Sequence, residues 1–599
     1  MIAEKRFIWH RTGLDIPLLI LLGITLVSLL FSIDLHISWY GYYSRWNGGL
    51  LSLLSYSLLY WAAVSNLDRK VIPLLIKCLL GGSLIVAIYA TLEHLGFSPS
   101  CLVTRGSWGV DCWVQDVKNR VFATLGQPNW LAAYLVALIW LPLSQVGVEI
   151  KKVNKSQLAY LGLFGLLFVT TLFTKSRSGL LAFAISAAVY WGLAFQRDKG
   201  KIKNYLVLFV VSCGLLTLLI HNPVRDLVFK SQTSAKTVGP ALEVGGTESG
   251  AIRKIVWAGA IRIWRGSTKN LLLGTGPETF AEAYYQFRPV EHNLTSEWEL
   301  LYNKAHNEFL NQLATTGLVG SLAYLFLLAA MLTVLVKKYL QANDADKPLH
   351  LALLAGWISI PITNFWGFSV VITQLLLWLI PALAIINSLE SQPQKDSALS
   401  TGQKVSLLIV AGLSLYLIYL TGKYWLADTK FAAASNSLKG FQTTLEPSYL
   451  ISSYKLYTQA YALNPAEPAI SSELAVAAAY VASSLAQTDA TSAAKMAQIS
   501  VAASDQAITT SPHHPNYYRS RSRAMILLSA LDPTYLQTAA EALKNAITLS
   551  PTDPRIHHNL GVVEEYLGAT PSAILEYQKA LELKPDFADP KERLKSLVH

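Results

Sequence analysis

Apolar residues in this 599-residue chain are bunched rather than spread. Runs close to the twenty or so residues needed to cross a hydrocarbon core of about 30 Å recur about eleven times. They lie near 14–33, 48–65, 71–92, 129–148, 157–174, 178–196, 204–221, 317–337, 349–366, 368–388 and 404–422. One polar interval is far longer than the rest, 222–316, and its amphipathic stretches predict a folded, largely helical loop. Beyond about 425 the pattern changes again, to Ala, Leu and Tyr at helical spacing. The expected fold is all-α: a polytopic membrane helix bundle of about 11 spans, a large outward helical loop, and a C-terminal α-solenoid. The regions are 1–221, N-terminal spans; 222–316, outward loop; 317–425, C-terminal spans; and 430–599, the repeat domain.

The last region is punctuated by Ala462-Leu463-Asn464-Pro465, Ser511-Pro512, Leu549-Ser550-Pro551 and Leu583-Lys584-Pro585. Pro551 to Pro585 spans the 34-residue period of tetratricopeptide repeats. Gly561, Tyr566, Ala573, Tyr577 and Ala580 fall where that repeat packs small against aromatic residues. Earlier intervals are longer, so the expectation is a short stack of helical hairpins, the earlier ones degenerate or carrying insertions. Such a module either binds a protein partner or caps the membrane domain.

Composition agrees with the pattern: 52% of residues are hydrophobic and only 15% charged, against about a quarter charged in ordinary soluble proteins. The net charge of +11 does not point to nucleic acid, because the cations punctuate alternate loops instead of forming a stripe. The clusters are Lys5, Arg6 and Arg11; Arg69 and Lys70; Lys151, Lys152 and Lys155; Arg197, Lys199, Lys201 and Lys203; and Lys337 and Lys338. The positive-inside rule places them in the cytoplasm with the N-terminus, and puts loop 222–316 and the repeats outside. The expected location is a bacterial cytoplasmic (inner) membrane, crossed many times. The first apolar run has no convincing small-residue cleavage site and is followed by further spans, so it reads as a span.

Cys78 and Cys213 fall inside apolar runs and read as core residues. Cys101 and Cys112 share one outward loop, where oxidising conditions favour a disulfide; two free thiols are the other reading. Their spacing, with no histidine between, makes a poor metal site.

The candidate chemistry sits where the long loop runs into an apolar segment: Ala305-His306-Asn307-Glu308-Phe309, followed by Gly317 and Gly320. Histidine, with a pKa of about 6.5, can accept and return a proton near neutral pH. This H-N-x9-G-x2-G pattern resembles that of the O-antigen ligase, O-antigen polymerase and protein O-oligosaccharyltransferase superfamily, over roughly residues 120–390. The resemblance implies a membrane enzyme that moves a glycan from a polyprenyl diphosphate carrier to an acceptor hydroxyl, using no cofactor, metal or nucleotide. It makes His306 the base, with Asn307 either orienting the imidazole or capping the next helix. Gly317 and Gly320 are expected to permit close helix packing.

The same resemblance assigns Arg177, within Thr174-Lys175-Ser176-Arg177-Ser178-Gly179, to the diphosphate. Two cations on the predicted outer side oppose the positive-inside bias, which favours an anionic ligand over a snorkelling side chain. Arg253 matches the arginine preceding the loop tryptophan, here Trp257, ahead of Leu273-Gly274-Thr275-Gly276-Pro277; a solvated helix face is the alternative. Arg262, on the same stretch, is a weaker candidate. Arg120 either binds phosphate or marks the interface, and Asn129 in Gly126-Gln127-Pro128-Asn129 reads as a helix cap. The family often has an acidic residue where this chain has Asn303. That residue lends no charge to the imidazole, and Glu308 is a candidate substitute.

The implied donor is a polyprenyl diphosphate-linked glycan, and the acceptor a lipid core, a second glycan or a protein hydroxyl, giving a ligase, a polymerase or an O-oligosaccharyltransferase. Rival classes are a transporter and a membrane-anchored repeat scaffold. Coupled carriers place ionisable groups near the bilayer midplane. Here Lys77 lies near a cytoplasmic end and Glu93 and His94 near an outer end, which disfavours transport. A scaffold would leave His306 and the outward arginines without a purpose.

Overall fold

The computed structural model describes residues 9–43, 45–146, 154–197, 199–229, 249–389 and 400–598. Lys5, Arg6, Lys151 and Lys152 of the basic clusters lie outside the described residues, as do the side chains of Arg197, Lys199 and Lys201. Every regular element among the described residues is helical. Nine of these helices are long and apolar enough to cross a membrane. Eight coincide with apolar runs, and the three remaining runs fall on the shorter helices Asp15–Leu30, Leu50–Asn66 and Val371–Asn387. The ninth, Pro468–Leu485, is alanine-rich and packs among the repeat helices, where Ser500 Oγ donates to the Ala475 carbonyl at 2.8 Å. The protein is an all-helical membrane protein.

The bundle centres on Pro128–Val146 and Lys347–Phe365, the two most buried apolar segments. Trp140 is fully buried, stacks on Phe183 and Tyr190, and donates its indole N–H to Ser186 Oγ at 3.2 Å. A buried indole needs such a partner, because an unmade hydrogen bond in an apolar interior is costly. Thr401–Thr444 is the opposite case: none of its apolar window is buried, so these side chains face lipid. It continues as one helix past 425–430 into the repeat region. Cys213 is buried as expected, but Cys78 is exposed, because its side chain falls on a face of its helix turned away from the bundle interior.

The two ends of the bundle are distinct. At one end Arg69 Nη2 donates to both carboxylate oxygens of Asp346, at 2.6 and 2.7 Å, joining two of the loops near the basic clusters. At the other end of helix Ile72–His94, His94 stacks on Phe173 and bonds the Lys118 carbonyl at 2.7 Å. Cys101 and Cys112 lie at this second end, disulfide-bonded with Cα atoms 5.4 Å apart.

Helix Glu308–Gln341 starts before the apolar run and is broken at Gly317, whose φ of 66° and ψ of −168° suit only glycine. The kink frees carbonyls from the helical ladder, and a neighbouring turn satisfies them. Thr275 N–H donates to the Ala314 carbonyl at 3.3 Å, and Gly276 N–H to the Thr315 carbonyl at 2.8 Å. A Cβ on Gly317 would overlap the Leu272 carbonyl, and one on Gly274 the Thr315 backbone. The Leu-Gly-x-Gly segment is thus the counterpart of the kink. Gly320 is buried, and the atoms nearest a Cβ there would be those of Thr316 on its own helix.

From Pro447 to Val598 eight helices follow with short connections, each packed on the next. In the last hairpins Tyr577, Ala573 and Ala580 are fully buried, and Tyr577 lies over Gly561. This array docks onto the long loop at the second end of the bundle. Asn293 Nδ2 donates to the Thr552 and Leu583 carbonyls at 2.8 and 3.2 Å, and Lys584 Nζ returns a bond to the Asn293 carbonyl at 3.1 Å. Trp298 sits among Lys584, Arg555 and Phe587, with the two cations 4.6 and 5.7 Å from its ring.

Candidate functional site

Two turns meet at the mouth of the bundle. Glu93, buried at the end of its helix, accepts the Ala123 N–H at 2.9 Å and anchors the segment carrying Arg120. Arg120 donates from Nε to the Thr174 carbonyl at 3.1 Å and from Nη2 to Asn129 Oδ1 at 3.2 Å. Ser176 Oγ donates to the same Asn129 oxygen at 2.8 Å. Asn129 is therefore the junction between these turns and not a helix cap; the cap position belongs to Gln127. Gly179 lets the helix Arg177–Arg197 approach Ala132 closely, so Arg177, its first residue, is held beside Arg120.

Arg253 reaches the same place from helix Ser249–Arg265. The three guanidiniums sense one another: burial, then the charges of Arg253 and Arg177, lower the pKa of Arg120. For Arg253 burial again comes first, with Tyr302 and Glu297 opposing it and Arg177 adding to it. Three like charges gathered in a partly desolvated site are unfavourable by themselves, and an anion would relieve them. Arg262, two turns and more along the helix, is exposed and does not share this environment.

His306 completes the group. It is a non-glycine residue at φ 51°, held in the left-handed region by its neighbours. Ala305 N–H donates to Asn311 Oδ1 at 3.3 Å, and Asn307 caps the next helix by accepting Leu310 N–H at 3.0 Å. Of the two roles open to Asn307, capping is the one this geometry displays. The imidazole lies between Tyr302 and Phe368, with ring centroids 5.3 and 5.4 Å away. It faces a nearly closed cavity of about 10 Å³ shared with Gln127, Asn129, Ser178 and Trp366. Burial, followed by the charges of Arg253 and Arg45, lowers its pKa to about 3, so the ring is neutral at neutral pH. Glu308, the candidate substitute for the family's acidic residue, pairs instead with Gln312, whose Nε2 donates to it at 3.2 Å.

Residues 162–325 match the family model described as O-antigen ligase. That match supports the O-antigen ligase superfamily. The matched segment contains Arg177, Arg253, His306 and the Gly317 kink, and with the membrane helices it supports a membrane glycosyltransferase type of function. A search of curated proteins finds no relative of the chain. Arg120 and Asn129 lie outside the matched residues and join the site through the hydrogen bonds given above.

Several site residues escaped the sequence reading. Arg45 stacks on Phe368 and Trp130, 4.6 and 5.2 Å from their rings, and its Nη1 is buried with no hydrogen-bond partner among the described residues. A signal for it existed: like Lys175 and Arg177, it is a cation in a predicted outward loop. Tyr302, beside His306, donates to Glu297 in a part-buried contact, and Lys304 pairs with Glu278 in a buried one. Nothing in local sequence marks these pairs. Among the described residues six non-glycine residues have positive φ, and five of them, Trp46, Ala123, Lys175, Glu278 and His306, lie in the segments that build this site. Such strain persists only where packing over-determines it, and it concentrates at functional sites.

Proposed function

We propose that the protein transfers a glycan from a polyprenyl diphosphate carrier to an acceptor hydroxyl on the outer face of the cytoplasmic membrane. The observation that carries this reading is the convergence of Arg120, Arg177 and Arg253 from three separate segments beside His306. The acceptor oxygen attacks the anomeric carbon while the bond from that carbon to the phosphate oxygen breaks. The acceptor proton passes to the neutral imidazole, and the departing diphosphate keeps the electron pair. The arginines hold that diphosphate bidentately, and Arg45 is placed to join them through its unpartnered nitrogen. Bound diphosphate also offsets the charges that depress His306, so the donor itself strengthens the base.

The test is transfer by purified protein in detergent from a polyprenyl diphosphate glycan to candidate lipid, glycan and protein acceptors. Replacing His306 by Ala should lower turnover about 10²–10⁴-fold with donor binding retained. Arg253→Ala should raise the donor KM as well, because a ground-state contact is lost. Transfer at the parental rate by the His306 variant refutes the assignment. Reporter fusions at Lys199 and Ser511 should fall on opposite sides of the membrane.

A further inference from the structure

The repeat helices and the first outer loop enclose a groove that the reaction centre does not use. Two cavities, of about 220 and 700 Å³, adjoin along Glu473, Asn516 and Ser520, which line both, and together they make up a trough. Its inner end is walled by Tyr42 and Tyr43 of the loop and by Tyr517 and His514 of the repeats. Its outer end is walled by Arg519, Arg523, His558 and Asn559. Polar atoms along it lack hydrogen-bond partners among the described residues: His514 Nδ1, Arg519 Nε, Ser522 Oγ and His558 Nδ1. His514 and Ser522 are 6% and 2% exposed, so these unpartnered atoms lie within the wall of the trough. Buried polar atoms in native structures are normally satisfied, and each exception calls for a ligand, a water or a role.

We propose that this trough is a subsite for a glycan chain, several sugars long, whose end reaches the reaction centre. The position supports it. Tyr42 and Tyr43 are within three residues of Arg45, whose guanidinium lies on Phe368, the ring that also flanks His306. The inner end of the trough therefore lies next to the segment that brings Arg45 to this ring. The lining supports a saccharide rather than a peptide. Aromatic faces pack on the C–H faces of pyranose rings, while carboxylate, amide and guanidinium groups satisfy vicinal hydroxyls. A peptide strand would need either an open sheet edge or successive apolar pockets; here aliphatic side chains line the outer end at Ile526, Leu527 and Val562 and the inner end at Ile37, Pro468 and Ala469, with polar side chains between them. Charges of both signs, Glu473 against Arg519 and Arg523, also suit a polyhydroxylated chain better than a polyanion.

The inference rests on the transferase reading, and its test separates the two. Ser520, shared by both cavities and outside the reaction centre, is replaced by Trp to plug the trough; Arg523→Ala with Asn559→Ala removes donors without adding bulk. Melting curves in detergent show that both remain folded. With a donor and an acceptor of one sugar each, both variants should turn over like the parent. When either substrate is lengthened, KM should rise on the order of tenfold for the substrate whose chain uses the trough. Lengthening donor and acceptor in separate arms identifies which one that is. Parental KM for long substrates of both kinds in the plugged variant overturns the proposal. If no glycan is transferred by any form, the transferase reading fails. Binding of lipid-free hexose and N-acetylhexosamine oligosaccharides to the full chain then tests the trough alone, and their equal binding to parent and plugged variant overturns it. Peptides displaced by the plug while oligosaccharides are not would likewise overturn the glycan assignment.

Discussion

Asp553 is the residue on which the docking of repeats to loop should depend most. Its side chain is 1% exposed and faces Arg555, which donates from Nε to Oδ1 at 3.0 Å and from Nη2 to Oδ2 at 2.8 Å. Burial alone would raise the pKa of Asp553, but the Arg555 hydrogen bond and the charges of Arg555, Arg519 and Arg288 prevail and bring it to about 2. Relative to the ordinary 3.8, that corresponds to roughly 2 kcal/mol of stability. Because the folded pKa is depressed, this contribution is full above about pH 4 and is lost as pH falls through about 2. Asp553→Asn removes the charge at all pH values and leaves three guanidiniums in one poorly solvated place. The expected cost is about 3–5 kcal/mol, the usual range for breaking a buried pair from one side. Arg288 also holds the Asn293 side chain and the Trp298 carbonyl, at 2.6 and 2.7 Å. Segment 288–302 should therefore loosen, and with it Tyr302 beside His306. The assays are denaturant melts in detergent, protease cleavage near Trp298, and glycan transfer. Combining Asp553→Asn with Arg555→Met should recover part of the loss, since one uncompensated charge goes with it. Parental stability and protease resistance of the single variant would refute the clamp.

Three further outcomes are expected. In kcat/KM for the donor, which reports the free enzyme, the acid limb from His306 should lie toward pH 3 and not near 6.5; in kcat it should move up, because bound diphosphate offsets the arginines. An inflection near 6.5 in kcat/KM that disappears with His306→Ala would contradict this depressed pKa. Gly317→Ala should destabilise by more than the 1–3 kcal/mol of backbone strain, since its Cβ also overlaps Leu272, whereas Gly162→Ala, which meets nothing within 4 Å, should be tolerated in a melt. Replacing Cys101 and Cys112 by Ser should cost about 2–3 kcal/mol for a loop this short and leave transfer intact; labelling of both thiols in denatured, unreduced protein would show that they do not pair.

The membrane bundle was legible because a bilayer imposes length and polarity on every crossing, and that constraint acts on contiguous residues. The site was legible only where chemistry and position disagreed with their surroundings. Arg177 stood out as an outward cation, and His306 as a titratable group at a membrane surface. Arg45 met the same test and was passed over, because its role depends on Phe368, which comes from the loop between two late spans. Asn129 read as a cap because Asn before an apolar run usually is one. Its oxygen is instead taken by Arg120 and Ser176, and that competition exists only once two turns meet. Gly317 and Gly274 were visible as glycines but not as a pair, since the carbonyls freed at one are satisfied next to the other.

On the proposed reading, the arginines and the histidine make demands on each other that favour one order of events. An imidazole buried beside Arg253 and Arg45 cannot keep a proton at neutral pH, so it is available as an acceptor but a weak one. An acceptor hydroxyl arriving first would find that weak base. A diphosphate arriving first supplies negative charge to Arg120, Arg177 and Arg253, which lowers the electrostatic penalty on a protonated His306. Burial is the larger cause of the depression, and it persists, so the recovered basicity comes from the charge contribution alone. The proton taken from the acceptor is then stabilised by the same diphosphate that is leaving. On this reading base strength and leaving-group binding are coupled through Arg253, which acts on His306 as well as on the diphosphate, so replacing it should shift the pH dependence of transfer as well as donor affinity, whereas replacing Arg120 or Arg177 should act chiefly on donor affinity.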